Sequence, residues 1–183
     1  MLRKLVLLVF VAVFVAGCGN KTAITTVAET EGVYIDVGGL TYQVQLSRYL
    51  NPFDVEDKQY LQGLPAGTSP VLPGNEIWFG VWMRVKNYSG GPLTPTDEFV
   101  IVDTEDNKFE PVPLDSASNP FAYEPVLLQQ SQVLPLPDTA ASSGPIQGSL
   151  ILFRLKTDSL QNRPLRLEIE QPGATTGEVD LDL

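Results

Sequence analysis

Between Glu76 and Asn87 the sequence reads EIWFGVWMRVKN, an alternation that one backbone conformation accommodates. Successive side chains of a strand point to opposite faces. Ile77, Phe79, Val81, Met83 and Val85 therefore share one face; Trp78, Trp82, Arg84 and Lys86 share the other, with Gly80 between the tryptophans. A strand with so apolar a face has to bury it against another layer. No heptad, internal repeat or helix-period run elsewhere in the chain supplies a helical layer, so the partner is a second sheet.

The remaining segments fit that requirement. In LTYQVQL, Tyr42, Val44 and Leu46 are expected on one face and Gln43 and Gln45 on the other, with Gly38-Gly39 turning the chain just before. EFVIVDTEDNKFEPV reads as a hairpin with Phe99 and Ile101 inward and an acidic turn from Asp103 to Asn107, where Asn107 takes the left-handed position. SLILFRLK reads as a buried strand, LRLEIE as an alternating one, and EVDLDL as a charged edge strand. Residues 47–75, rich in Pro, Gly and acids, form a long loop with one helical turn at Asp57 to Leu61. Ser118-Asn119-Pro120 is expected to cap a short helix, and residues 124–148 are read as irregular. Short strands with frequent turn signals specify an all-β chain, a β-sandwich with a long Pro/Gly-rich loop insert.

Three stretches, FGVWMRVKNYSGGPL, FVIVDTEDNKFEP and GPIQGSLILFRLK, resemble the immunoglobulin-like domain of secreted bacterial lipoproteins, of the mycobacterial immunoprotective antigen type. The resemblance spans roughly residues 40 to 170 and lies in pattern; the insert at 47–75 departs from the usual short connection. It implies a sandwich fold and an extracytoplasmic address, and it supplies no catalytic residues.

The N-terminus points the same way. Met1-Leu2-Arg3-Lys4 is a basic head, Leu5 to Ala16 an unbroken apolar run, and small residues follow, which is the layout of a secretory signal. The run is shorter than the roughly 20 residues a membrane-spanning helix needs. Val15-Ala16-Gly17-Cys18 resembles the lipobox of bacterial lipoproteins, which implies a diacylglycerol on the Cys18 sulfur and cleavage before it. The competing reading is an ordinary secreted chain with a chance cysteine at the cut. The expected division is residues 1–17 as signal peptide, 18–31 as a flexible lipid-anchored tether and 32–183 as the sandwich. Two acyl chains give stable anchoring where one is marginal, so Cys18 would hold the protein at the outer face of the cell membrane.

Composition closes off several chemistries. The chain has no histidine and a single cysteine, so Ser-His-Asp and Cys-His catalysis lack their base and zinc sites lack their ligands. A formal charge of −10, becoming −12 once Arg3 and Lys4 leave, argues against nucleic acid. The remaining candidates are few. Asp103, Glu105, Asp106 and Asn107 offer oxygens without the loop grammar of an EF-hand and read as a hairpin turn. Asp54, Glu56 and Asp57 are interleaved with Phe53, Val55 and Tyr60, which suggests a loop packing down.

Trp78 and Trp82 are the candidate binding residues, on one face and about 13 Å apart. Such a pair can stack on a sugar or anchor a partner; alternatively the 47–75 loop folds over them as a second small core. The covered arrangement is favoured, because two bare tryptophans are a liability on a monomer. The expected function is a non-catalytic, lipid-anchored binding or scaffolding module at the cell envelope, with no cofactor, no metal and an envelope protein or glycan as partner. A solute- or glycan-binding lipoprotein using the Trp face and a carboxylate-dependent envelope hydrolase are the alternatives.

Overall fold

The computed structural model describes residues 25–182. Cys18 and the signal segment lie outside that range. Among the described residues eleven strands make two sheets: β1 (Val27–Ala28), β2 (Ile35–Val37), β3 (Leu40–Leu50), β4 (Glu76–Asn87), β5 (Glu98–Val102), β6 (Lys108–Phe109), β7 (Pro111–Val112), β8 (Val133–Leu134), β9 (Ser149–Lys156), β10 (Leu165–Glu170) and β11 (Gly177–Leu181). One sheet runs β1-β11-β10-β5-β6; the other runs β2-β3-β4-β9-β7, with β8 paired to the end of β4. The chain crosses between sheets at Glu110, since β6 belongs to the first and β7 to the second.

The β-sandwich expected from the alternation is therefore present, and its core lies between the inner faces. Phe79, Val81, Met83 and Val85 of β4 and Ile151, Phe153 and Leu155 of β9 meet Phe99 and Ile101 of β5, Leu165, Leu167 and Ile169 of β10, and Val179 of β11. Gly38 and Gly39, at φ 59° and 84°, make the β2–β3 connection with two left-handed residues, as a tight right-twisted hairpin requires.

Strand β3 departs from simple alternation. Its pairing with β4 shifts between Val44, opposite Met83, and Leu46, opposite Trp82. Gln45 is the extra residue of a β-bulge, and one inserted residue exchanges the faces of everything beyond it. Tyr42 and Val44 point into the main core as expected, but Leu46 and Leu50 pack on the opposite side, beside the tryptophans. The strand also runs on to Leu50, so the connecting loop begins at residue 51 rather than 47.

The N-terminal boundary moves as well. Val27 and Ala28 pair in parallel with Glu178 and Val179, and Ala28 is in the core. The Glu31 carboxylate accepts hydrogen bonds from the Ser47 amide at 3.0 Å, the Ser47 hydroxyl and the Asp182 amide at 3.1 Å. Residues 25–31, expected within the tether, thus belong to the folded body. Backbone pairing with β11 outweighs their polar composition, and β11 is flanked rather than an edge strand. No helix starts at Ser118; the α-helical turn among the described residues is Ala140–Ser143, capped by Thr139.

Candidate functional site

Trp78 and Trp82 are both buried, at 1% and 0% exposure, which removes them as an exposed binding face. They form a second apolar cluster on the outer side of the β4 sheet with Leu46, Leu50, Leu150 and Leu152, under a lid that includes Tyr60, Leu61, Leu64 and Leu72 from the long loop. The other half of the lid is Val112, Leu114, Phe121 and Ile146. Trp78 Nε1 donates to Pro70 O at 2.8 Å. Tyr60 stands edge-on to both Trp82 and Phe121, with ring centroids 5.1 and 5.0 Å apart. The Arg48 guanidinium lies 5.4 Å above the Trp82 ring. The covered arrangement is the one the fold adopts.

The acidic groups of the loop serve that lid. Asp57 is buried beneath it, taking two hydrogen bonds from the Arg48 guanidinium, one of them at 3.1 Å from Nη1, and another from the Asn51 amide at 2.8 Å. Burial alone would raise its carboxyl; the Arg48 hydrogen bonds and the Asn51 amide outweigh that and hold it below the usual carboxylate range. Asp54 turns the chain by accepting from the amides of Glu56 and Asp57. Asp57 begins a short 3-10 turn, Asp57–Gln59, close to the helical turn read from the sequence.

The second acidic cluster is a turn built around Asp103. Its Oδ1 accepts from the amides of Glu105 and Asn107 at 2.9 and 3.0 Å, and Asn107 Nδ2 reaches both oxygens. Burial pushes the carboxyl up, but hydrogen bonds from Asn107, Ser159 and the backbone bring it down to about 2. The left-handed residue is Asp106, at φ 61°, rather than Asn107. Asn107 is occupied in holding Asp103, and a short-side-chain acid is the next residue type that tolerates this conformation.

What the sequence reading missed is a cleft. Beside the crossover at Glu110, between β5 of one sheet and β9 of the other, lies a cavity of about 530 Å³. Its apolar lining includes Phe99, Ile151, Val112 and Leu114, and one wall carries Pro111, Pro113 and Pro125. Tyr123 fixes the geometry: its ring meets Phe99 edge-on at 5.2 Å, and its hydroxyl donates to Thr96 O at 2.7 Å. Asp97, Glu98, Glu110 and Glu170 stand around it, all exposed, and no Lys or Arg lines it. None of these four carboxylates makes an ion pair among the described residues; Lys108, the nearest basic residue in sequence to Glu110, lies 4.0 Å from Glu168 instead. The available signal was the alternation Glu110-Pro111-Val112-Pro113, in which proline blocks further strand pairing. Its meaning depends on Tyr123 and Glu170, which are distant in sequence.

No family model and no curated protein matches the chain. Several solved structures share its fold. A functionally unknown protein of Listeria monocytogenes superposes with a TM-score of 0.51 at 10% identity, over 89% of this chain and 87% of that one. The yjhA protein of Bacillus subtilis gives 0.50 at 9% identity, over 84% and 99%. The ycdA protein of Bacillus subtilis, described as a candidate lipoprotein, gives 0.47 at 15% identity, over 84% of this chain and 39% of its own. At such identities the likeness is one of architecture: this chain is a two-sheet β-sandwich, a fold it has in common with uncharacterised proteins of these bacteria.

Proposed function

We propose that this protein is a non-catalytic binding module, tethered by lipid on Cys18 to the outer face of the cell membrane and presenting the acid-rimmed cleft to an envelope partner. It is read as a lipoprotein of the secreted immunoglobulin-like type that the strand pattern resembles. The observation that carries the binding half is the cleft itself. Its volume of about 530 Å³ falls within the ordinary range of ligand sites, roughly 300–1,000 Å³, and it joins an apolar floor to a few polar groups. The basic head, apolar run and Val15-Ala16-Gly17-Cys18 support the anchoring half.

The two halves are tested together in cells. Wild-type chain should incorporate an alkyne fatty acid and partition into detergent, and Cys18→Ala should do neither while keeping its signal segment. Val112→Trp, which narrows the cleft at a residue that also packs in the lid, should stay anchored, keep the wild-type far-ultraviolet dichroism and melting midpoint, and lose retention of purified envelope material. Unacylated wild-type protein recovered from the medium would refute the anchor. Unchanged retention by Val112→Trp would refute the cleft.

A further inference from the structure

The cleft opens onto an unfinished sheet. Strand β10 pairs with all of β5, from Glu98 to Val102, on one side. On the other side β6 pairs only with Ile101 and Val102. Among the described residues no strand or bridge meets the β6-side edge of Glu98–Val100, and these three residues line the cleft. An open strand edge presents unpaired backbone groups and is a template for another strand.

We infer that the cleft receives an extended, basic segment of a partner polypeptide, which adds to the free edge of β5 as one more strand. This rests on the binding reading above and specifies its ligand. On that side the alternation that pairs Asp103 with Asn107 and Ile101 with Phe109 leaves the N–H and C=O of Phe99 to an added strand, the Glu98 amide being given to Thr96 Oγ1 at 3.0 Å. That pair of groups fixes direction and register while side chains supply selectivity. Every second side chain of the added strand would turn inward, toward Phe99, Ile151 and Val112. The opposite wall cannot compete for the segment's carbonyls at Pro111, Pro113 or Pro125, because proline has no N–H. It offers apolar surface, so the segment is held by hydrogen bonds on one side and packing on the other.

Charge selects the partner. Four rim carboxylates face a lining without Lys or Arg, so a segment flanked by Lys or Arg gains at both ends. A second copy of this chain would bring the same four carboxylates and a net charge of −10 to the contact, which opposes self-pairing through this edge.

The test uses the full chain in detergent and an array of N-acetylated, C-amidated hexapeptides of the form Lys-X-X-X-X-Lys, where X is Val, Leu, Tyr or Thr. A matched array carries Glu at both ends. The Lys array should contain binders roughly tenfold or more tighter than any in the Glu array, and Glu98→Lys, Glu110→Lys, Glu170→Lys in one chain should reverse the order. The best binder is then N-methylated at alternate residues. One methylation phase should weaken binding by at least roughly tenfold and the other should be tolerated, because alternate amides of an added strand face the sheet edge. Equal Lys and Glu arrays, or indifference to both methylation phases, would overturn the inference. The N-acetylglucosamine tetramer is run in parallel. If it binds wild type but not Val112→Trp while no peptide binds, the module reading survives and the strand addition fails. If neither probe binds, both fail.

Discussion

The Trp78 indole donates its Nε1 hydrogen to the carbonyl of Pro70 across 2.8 Å, tying the central strand of one sheet to the far end of the loop that precedes it. The chain has two tryptophans, both buried under this lid, so its fluorescence reports on the lid alone. Emission from the intact protein should be blue-shifted and resistant to iodide. Deleting residues 52–70 removes Tyr60, Leu61, Leu64 and the Pro70 acceptor. It should red-shift the emission, open it to quenching and lower stability by several kcal/mol, at about 1.5–3 kcal/mol per apolar side chain uncovered. Red, quenchable emission before deletion would contradict the covered arrangement.

Asn119 should matter more than a loop asparagine usually does. It is fully buried, its Nδ2 donates to Tyr60 O and Gln62 O at 3.0 Å each, and its Oδ1 accepts from the Phe121 amide. It joins the two halves of the lid. Asn119→Leu strands two carbonyls and an amide without partners, at a cost of about 1–3 kcal/mol for each buried group that finds no water. Amide exchange should accelerate around residues 60–64 and 119–121 while β10 and β11 stay protected. Uniform loss of protection would show that the lid and sandwich unfold as one unit.

The division between what the sequence discloses and what it conceals is physical. Alternation reports which residues share a face, and it alone places Phe79, Val81, Met83, Val85, Phe99 and Ile101 in the core. Alternation fails where one residue is inserted: nothing in YQVQL marks Gln45 as a bulge, and simple alternation gives Leu46 the wrong face. Cover over Trp78 and Trp82 could be argued from the cost of exposure. Half of that cover, Val112, Leu114, Phe121 and Ile146, is scattered over the end of the expected hairpin, the expected short helix and the irregular stretch, with no common period to place it on one face. The cleft was invisible for the same reason, since Glu98, Glu110, Tyr123 and Glu170 share no local pattern and converge only through the topology. At the N-terminus, Val27–Ala28 was lost in a polar stretch because a two-residue strand has no period to detect.

Asp103 predicts an acid limb in the stability profile. Its carboxyl sits at about 2 in the fold against an ordinary 3.8. A depressed value means the unfolded chain takes up the proton first. The contribution is therefore complete above about pH 4 and is lost as pH falls toward 2. At 1.36 kcal/mol per pH unit the effect is at most about 2 kcal/mol, and solvent screening of a turn carboxylate reduces it. Asp103→Asn should destabilise by up to that amount at pH 7, and its deficit relative to wild type should shrink as pH falls through 2 and vanish below it. Chemical denaturation of both proteins across that range measures the difference directly. A deficit independent of pH would mean that the amide substitution acts through packing and not through the charge.

Gly80 is the residue that lets two tryptophans share one face of a strand. A Cβ at this position would lie 3.0 Å from two carbons of the Trp82 six-membered ring and 2.9 Å from Leu150 Cδ1. Trp82 folds back over the bare backbone between the two indoles, and Leu150 packs on it from β9. Neither neighbour has room to retreat, because Leu150 and Trp82 are both buried under the lid. Gly80→Ala should therefore cost about 1–3 kcal/mol by overpacking, even though alanine is the stiffer residue in the unfolded chain. Its signature is spectroscopic as well as thermodynamic: the near-ultraviolet dichroism of Trp82 should change while the far-ultraviolet β signal stays. Gly74→Ala is the control, since a Cβ there meets nothing within 4 Å, and it should be neutral or slightly stabilising. Equal midpoints for Gly80→Ala and wild type would show that the lid yields readily, and the second core would then be a loosely held cover rather than a packed layer.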